Sequence, residues 1–118
     1  MVFKKGELFS GPGGLSYGAI SASISTETGE KYSIEHIWAN DNDEDSCKTF
    51  RKNICPENPE SVINKNVDKV DIKKLEKIDC FVFGFPCNDY SDVGKKKGIK
   101  GDYGKLYKYG IKVLDEHN

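Results

Sequence analysis

The segment Ile78-Asp79-Cys80-Phe81-Val82-Phe83 is the most apolar run in the chain, and it stops abruptly at Gly84-Phe85-Pro86-Cys87. Its β-branched and aromatic residues suit a buried central strand, and strands buried on both faces belong to parallel sheets whose crossovers carry helices. Glu7-Leu8-Phe9 is a second, shorter apolar run ending in Ser10-Gly11-Pro12-Gly13-Gly14. Beyond it Leu15, Ala19, Ile20 and Ala22 recur at roughly helical spacing, so this stretch reads as strand, glycine turn, helix. Residues 26–31 are polar around Gly29 and predict a loop, and residues 34–39 with Ile37 and Trp38 predict the next strand, closed by Asn40-Asp41-Asn42-Asp43. Asp43 or Asp45 can cap a helix whose inward stripe is Cys47, Phe50 and Ile54 and which ends before Pro56. Residues 56–66 read as a loop, 71–77 as a short helix and 89–102 as a glycine- and lysine-rich loop. An amphipathic helix over 103–115 offers Leu106, Tyr107, Ile111 and Leu114 to a core. Strands alternating with helices give an α/β fold with a mostly parallel sheet and right-handed crossovers. Three or four strands amount to about half of a doubly wound nucleotide-binding fold.

At 118 residues the chain has room for one small domain, one that buries roughly 60–70% of its unfolded surface. An apolar fraction of 36% against 31% charged residues predicts a thin core and a wet surface. The net charge of −1 carries no global argument for binding a polyanion. Locally, Lys95, Lys96, Lys97, Lys100, Lys105, Lys108 and Lys112 face a single acid, Asp102, which is either a solvated face or a phosphate-binding loop. The four cysteines form no C-x-x-C pair and there are two histidines, so no metal site is expected and the thiols should be free in a reducing compartment. His36 and His117 read as surface or packing residues, Cys47 and Cys80 as core fillers, and Cys55 beside Pro56 as a loop thiol. With no apolar leader after Met1 and no run of about 18 apolar residues, a cytoplasmic protein is expected.

Three positions carry chemistry. The glycine turn lets the backbone approach a ligand beside a helix N-terminus, although any tight strand-to-helix turn can use glycines. Asp41 ends a strand about 27 residues beyond Gly14, where an acid can accept hydrogen bonds from both hydroxyls of a ribose or simply cap the next helix. For Asp43 the helix cap is the better reading. Cys87 follows a buried strand and a proline, at the carboxyl edge of the sheet where α/β proteins collect ligands, and lysines after it favour a thiolate. Packing competes with catalysis there.

Taken together, Phe9-Ser10-Gly11-Pro12-Gly13-Gly14, then Asn40-Asp41-Asn42-Asp43, then Gly84-Phe85-Pro86-Cys87-Asn88-Asp89-Tyr90-Ser91, resemble the opening motifs of the DNA cytosine-5 methyltransferases. The pattern from Gly94 to Tyr107 is similar to the one that follows in that family, so the resemblance covers nearly the whole chain. It implies a partial, truncated Rossmann-like fold that uses S-adenosylmethionine, with residues 1–118 as the N-terminal part of the catalytic domain and 86–104 as the catalytic loop. Phe9 would pack on the adenine, and Gly11, Pro12, Gly13, Gly14 and Leu15 would surround the methionine part. Asp41 matches the ribose acid, Asn42 the position against the adenine, and Asn66 and Val67 a further adenine contact. Gly84 would border the cofactor. Phe85, Pro86, Asn88 and Ser91 would contact the substrate, and Cys87 would attack the base.

Three departures stand out. Asn88 occupies a place where most bacterial members have Gln, although the mammalian de novo enzymes also show Pro-Cys-Asn-Asp. Asn42 replaces a large apolar residue, and Asn66 an Asp. The family's Glu-Asn-Val motif, its arginine motif and its target-recognition domain are not found in the 118 residues. The resemblance therefore implies a bacterial restriction-modification enzyme acting on double-stranded DNA. Its turnover would need a complementary C-terminal subunit or the remainder of a longer chain. A transfer-RNA cytosine methyltransferase and a non-catalytic cofactor-binding subunit are the competing readings.

Overall fold

The computed structural model describes residues 1–84 and 105–117. Among the described residues, five strands and three helices follow in the order β1 (Val2–Leu8), α1 (Gly14–Ser21), β2 (Ser23–Ser25), β3 (Lys31–Asp41), α2 (Glu44–Ile54), β4 (Val62–Asn64), β5 (Cys80–Phe83) and α3 (Tyr107–His117). Short 3-10 turns at Pro59–Ser61, Val67–Lys69 and Ile72–Lys74 fill the connections. The sheet runs β2-β3-β1-β5, with β4 also on β3. β1 is parallel to both β3 and β5, and β4 is parallel to β3. Among the described strands only β2, a short hairpin partner of the start of β3, runs antiparallel. This is the mostly parallel α/β sheet that the sequence predicts. No described helix is long and apolar enough to cross a membrane.

Two apolar clusters cover the two faces. On one, Leu8, Trp38, Val67, Ile72 and Val113 are buried, with Phe81, Phe83 and Tyr109 packed against them. On the other, Ala39, Cys47, Phe50, Cys55 and Val62 pack under α2. The predicted stripe of α2 is observed, with Cys47 and Phe50 fully buried and Ile54 beside them. Asp43 caps this helix by accepting the Ser46 N–H at 2.9 Å, and the Ser46 side chain, then this N–H, hold its carboxyl below the usual range. Among the described cysteines, Cys47, Cys55 and Cys80 are free thiols.

A kink in register between Lys5 and Gly6 turns both Ile37 and Trp38 toward the first cluster. Gly6 is required there, because a Cβ would run into the Trp38 ring and come within 2.9 Å of Ile78. The indole nitrogen of Trp38 donates to the Glu76 carbonyl at 3.0 Å, tying β3 to the segment that enters β5.

Several expectations are corrected. β4 arises where a loop is predicted, and β2 in residues 23–25, between the expected helix and the loop at 26–31, since three-residue strands carry too little periodicity to be seen. The predicted helix over 71–77 is a single 3-10 turn, Ile72–Lys74. In α1, Leu15 is 64% exposed and the buried residue is Ser16. Its hydroxyl accepts from Lys5 Nζ at 2.6 Å and donates to Glu7, while Lys5 and Glu7 pair at 3.2 Å with both side chains buried. The helix face over β1 thus meets a polar pair, and a hydroxyl fits where a leucine would leave charges unsolvated. Cys55 is a free thiol in the connection just past α2, as expected, but it is buried. In α3 the buried residues are Gly110 and Val113, whereas Ile111 and Leu114 are about half exposed.

His36 is a packing residue, its ring 5.1 Å from Phe50 and its Nε2 2.7 Å from Ser61 Oγ. Its buried Nδ1 has no partner among the described residues. Burial, and then the charge of Lys5, push its pKa down to about 4 from 6.5. The unfolded chain therefore binds more protons than the native one between these values, and stability contributed above pH 6.5 is lost as the pH falls toward 4. Urea midpoints measured across this window should fall steeply for the parent and less for His36→Gln.

The buried pair makes a second prediction. Lys5→Met leaves the Glu7 carboxylate buried without its cation and should cost about 3–5 kcal/mol in urea unfolding, whereas Lys5→Met combined with Glu7→Leu should cost clearly less. Equal losses in the single and double variants would show that the pair does not act as a unit.

Candidate active site

The carboxyl ends of β1, β3, β4 and β5 open on one side of the sheet, where β3 and β5 diverge from β1 in opposite directions along the strand order. Open α/β sheets bind ligands at such a point. Here it holds a cleft of about 680 Å³ lined by Phe9, Gly11, Asn40, Asp41, Asn42, Lys65, Asn66, Val67, Asp68, Gly84, Lys105, Leu106 and Tyr109.

The turn after β1 is built from unusual backbone. Phe9, Gly11 and Gly13 have φ of 55°, 57° and 107°. Glycine meets this demand at no steric cost, whereas Phe9 in the left-handed region is held there by its surroundings. A Cβ on Gly13 would lie 3.0 Å from Phe50 and 3.1 Å from Ile54, so this glycine also lets the turn sit on α2. A Cβ on Gly11 would meet nothing within 4 Å. Gly11 keeps its backbone bare toward the cleft.

Asp41 ties this turn to the end of β3. One carboxylate oxygen accepts the Gly11 N–H at 2.8 Å and the other accepts the Asp43 N–H at 2.9 Å. Each oxygen retains acceptor capacity, so the carboxylate can still receive hydroxyl donors from the cleft. Asn40, almost fully buried, donates to the Ile63 and Lys65 carbonyls at 2.8 and 2.9 Å and fixes β4 against β3. Asn42 donates to the Asn66 side chain at 3.1 Å across the rim. The Cys47 thiol donates to the Asp41 carbonyl at 3.5 Å, and burial followed by the charge of Asp41 raises its pKa, which makes it an unreactive thiol.

Of the residues singled out in the sequence for the cofactor, Phe9, Gly11, Asp41, Asn42, Asn66, Val67 and Gly84 come together in the cleft. Pro12, Gly13, Gly14 and Leu15 continue the turn into α1 and do not line it. Cys87, with Phe85, Pro86, Asn88 and Ser91, lies outside the described residues, as do Lys95, Lys96, Lys97 and Lys100. Gly84 marks where this segment leaves β5 at the cleft edge. The sequence reading missed Asn40, Lys65, Asp68 and Tyr109, and had Lys105 only as one of the clustered lysines. Tyr109 comes from α3, whose first turns reach over the cleft, and Lys112 lies 4.8 Å from the centre of its ring. A polar Asn40 at the end of an apolar strand was a signal available in the sequence; the placement of Tyr109 was not. Among the described residues no group of three or more His, Cys, Asp or Glu is placed to hold a metal ion.

The family model for C-5 cytosine-specific DNA methylases matches residues 3–118. The chain belongs to that family. Type II methyltransferase M.BbvI of Brevibacillus brevis is 57% identical over the whole of this chain, which spans 33% of that protein. M.NgoFVII of Neisseria gonorrhoeae and M.Eco47II of Escherichia coli, also type II methyltransferases, are each 34% identical, over 92% and 86% of this chain and 26% and 21% of their own lengths. The chain therefore spans a third or less of these curated relatives, and the methylase match accounts for nearly every residue of it.

The double role of Asp41 makes a structural prediction for this methylase chain. Asp41→Ala removes the acceptor for two backbone N–H groups, so the Gly11 and Asp43 amides should exchange with solvent markedly faster, with a stability loss of about 1–3 kcal/mol. Unchanged exchange at Gly11 would mean that the turn is held by other contacts.

Proposed function

We propose that residues 1–118 form the N-terminal part of a cytosine-5 methyltransferase catalytic domain, supplying the S-adenosylmethionine cleft and the nucleophile Cys87 for methylation of double-stranded DNA. The observation that carries the reading is the Asp41 carboxylate beside the bare Gly11 backbone in a cleft with both apolar and amide walls. The residues fit the cofactor. Asp41 has acceptor capacity for a ribose diol, Phe9 and Val67 offer apolar surface to an adenine, and the Asn42 and Asn66 amides stand at the rim. Asn66 would meet the adenine amino group with a neutral amide oxygen, a weaker acceptor than a carboxylate. Gly11 and Gly84 would border the methionine part. When bound, S-adenosylmethionine supplies an electrophilic methyl group on a sulfonium.

The protein's own task is to make carbon 5 of cytosine nucleophilic. Cys87 Sγ adds to carbon 6 as a thiolate, which gives the ring enamine character at carbon 5; loss of the carbon-5 proton later expels the thiolate and restores the ring. A thiolate suits both steps because it is strongly nucleophilic and leaves readily. The base must leave the duplex to reach Cys87, which costs a few kcal/mol. Lys95, Lys96, Lys97 and Lys100 would offset part of that cost through phosphate contacts, with Ser91 on the DNA backbone and Phe85, Pro86 and Asn88 around the base. Protonation of ring nitrogen 3 needs an acid, which in the family comes from the glutamate of the Glu-Asn-Val motif. That motif is not among the 118 residues, so turnover requires it from elsewhere, on the same or a second polypeptide.

The test uses labelled S-adenosylmethionine and duplex DNA, with and without the part of M.BbvI that this chain does not span. The chain alone should transfer little or no methyl, and the mixture should methylate DNA and form a covalent adduct with DNA containing 5-fluorocytosine. Cys87→Ala should abolish both. Robust Cys87-dependent transfer by the chain alone would overturn the need for a second part, and no adduct in the mixture would overturn the assignment of Cys87.

A further inference from the structure

We propose that Asn42 and Asn66 form a reversible amide clasp that makes the cleft tolerant at position 6 of the cofactor's purine, so that a 6-oxo purine nucleoside thioether is bound as readily as the 6-amino one. The proposal rests on the cofactor reading above and deepens it, since it concerns how the rim of that same cleft meets the base.

The two side chains are brought together by backbone that is fixed on both sides. Asn42 follows Asp41, whose carboxylate accepts the Gly11 and Asp43 N–H groups at 2.8 and 2.9 Å. Asn66 follows Lys65, whose N–H donates to the Asp41 carbonyl at 3.2 Å and whose own carbonyl accepts from the buried Asn40 amide at 2.9 Å. Asn66 also opens the 3-10 turn Val67–Lys69, but its side chain does not cap that turn and is left for Asn42. Asn42 Nδ2 then donates to Asn66 Oδ1 at 3.1 Å, and both residues line the cleft. Among the described residues this is the one side-chain hydrogen bond that either amide makes.

A carboxamide holds an acceptor oxygen and a two-donor nitrogen in nearly the same outline. Turning both side chains over therefore gives the same bond in the opposite sense, from Asn66 Nδ2 to Asn42 Oδ1. The atom of Asn66 that the clasp leaves free is Nδ2 in the first sense and Oδ1 in the second. The same rim thus offers a base a donor in one sense and an acceptor in the other, with the clasp intact in both. A 6-oxo group takes the donor and a 6-amino group the acceptor, so neither leaves a polar atom without a partner, and the usual penalty against the wrong substituent does not arise. A carboxylate at either position would only accept, and would fix the polarity of the pair. The rest of the wall imposes no preference of its own. Lys65 and Lys105 are matched there by Asp41 and Asp68, and Phe9 and Val67 respond to the area of the ring rather than to its substituent.

The probes are S-adenosylhomocysteine and S-inosylhomocysteine, titrated separately into this chain by calorimetry without DNA, so that no turnover enters the readout. Their dissociation constants should agree within about threefold for the parent, whereas Asn66→Asp should favour the adenosyl ligand by about tenfold or more. Asn42→Asp tests Asn42 as a positioning residue: its carboxylate accepts from Asn66 Nδ2, leaves Oδ1 as the free atom, and should produce the same preference. Asn42→Leu releases Asn66 to turn alone and should keep the ratio near that of the parent. A ratio of two affinities does not change if a variant is partly unfolded. The proposal is overturned if the parent already rejects the inosyl ligand by about tenfold, or if both aspartate variants keep the parent ratio. Binding of neither ligand by the parent would overturn the cofactor reading and this proposal with it, whereas tight binding of the adenosyl ligand alone would overturn only this one.

Discussion

The structure depends on β1 being held between two parallel neighbours. With β3 on one side and β5 on the other, the strand has both edges satisfied along its second half and both faces covered, and its carboxyl end can leave the sheet in only one direction. That exit is the turn from Phe9 to Gly13, with three residues in the left-handed region. The Asp41 carboxylate then locks the turn to the end of β3 through the Gly11 N–H. The shape of the cleft thus follows from where β1 stops and from one carboxylate shared between two backbone amides.

The two faces of β1 are built on different physics. Gly6 and Leu8 face an aromatic and aliphatic cluster in which Trp38 fills the space that a larger residue at position 6 would occupy. Lys5 and Glu7 face α1 as a buried ion pair closed by the Ser16 hydroxyl. A buried pair adds little net stability over apolar residues of the same size, but it penalises any packing that separates its members. It thereby fixes how α1, and with it the glycine turn, sits on the sheet. The price is borne nearby by His36, whose ring is kept neutral by the same burial and the same lysine.

The cleft gathers an apolar side, amides and a carboxylate at the carboxyl ends of the parallel strands, while β5 and α3 enclose a second, mixed hollow lined by Ile78, Phe81 and Val113 with Asp79, Asp115 and His117. A chain that spans a third of one relative thus holds a cleft at the strand ends while the apolar residues of β5 stay partly exposed.

By itself the sequence determined the alternation of strands and helices, the inward stripe of α2, the Asp43 cap, the glycine turn and the family, because each is written in neighbouring residues or in motifs of fixed spacing. It also marked Phe9, Gly11, Asp41, Asn42, Asn66, Val67 and Gly84, which the fold gathers around one cleft. The tertiary structure alone decided the rest. β2 and β4 exist because β3 is long enough to pair with both, Ser16 and not Leu15 turns inward because Lys5 and Glu7 lie beneath it, and Tyr109 reaches the cleft because Gly110 lets α3 press against Phe83. The amphipathic pattern of α3 was legible, but what its apolar face meets was not. Periodicity records that a side is apolar, whereas the partner that buries it is set by elements distant in sequence.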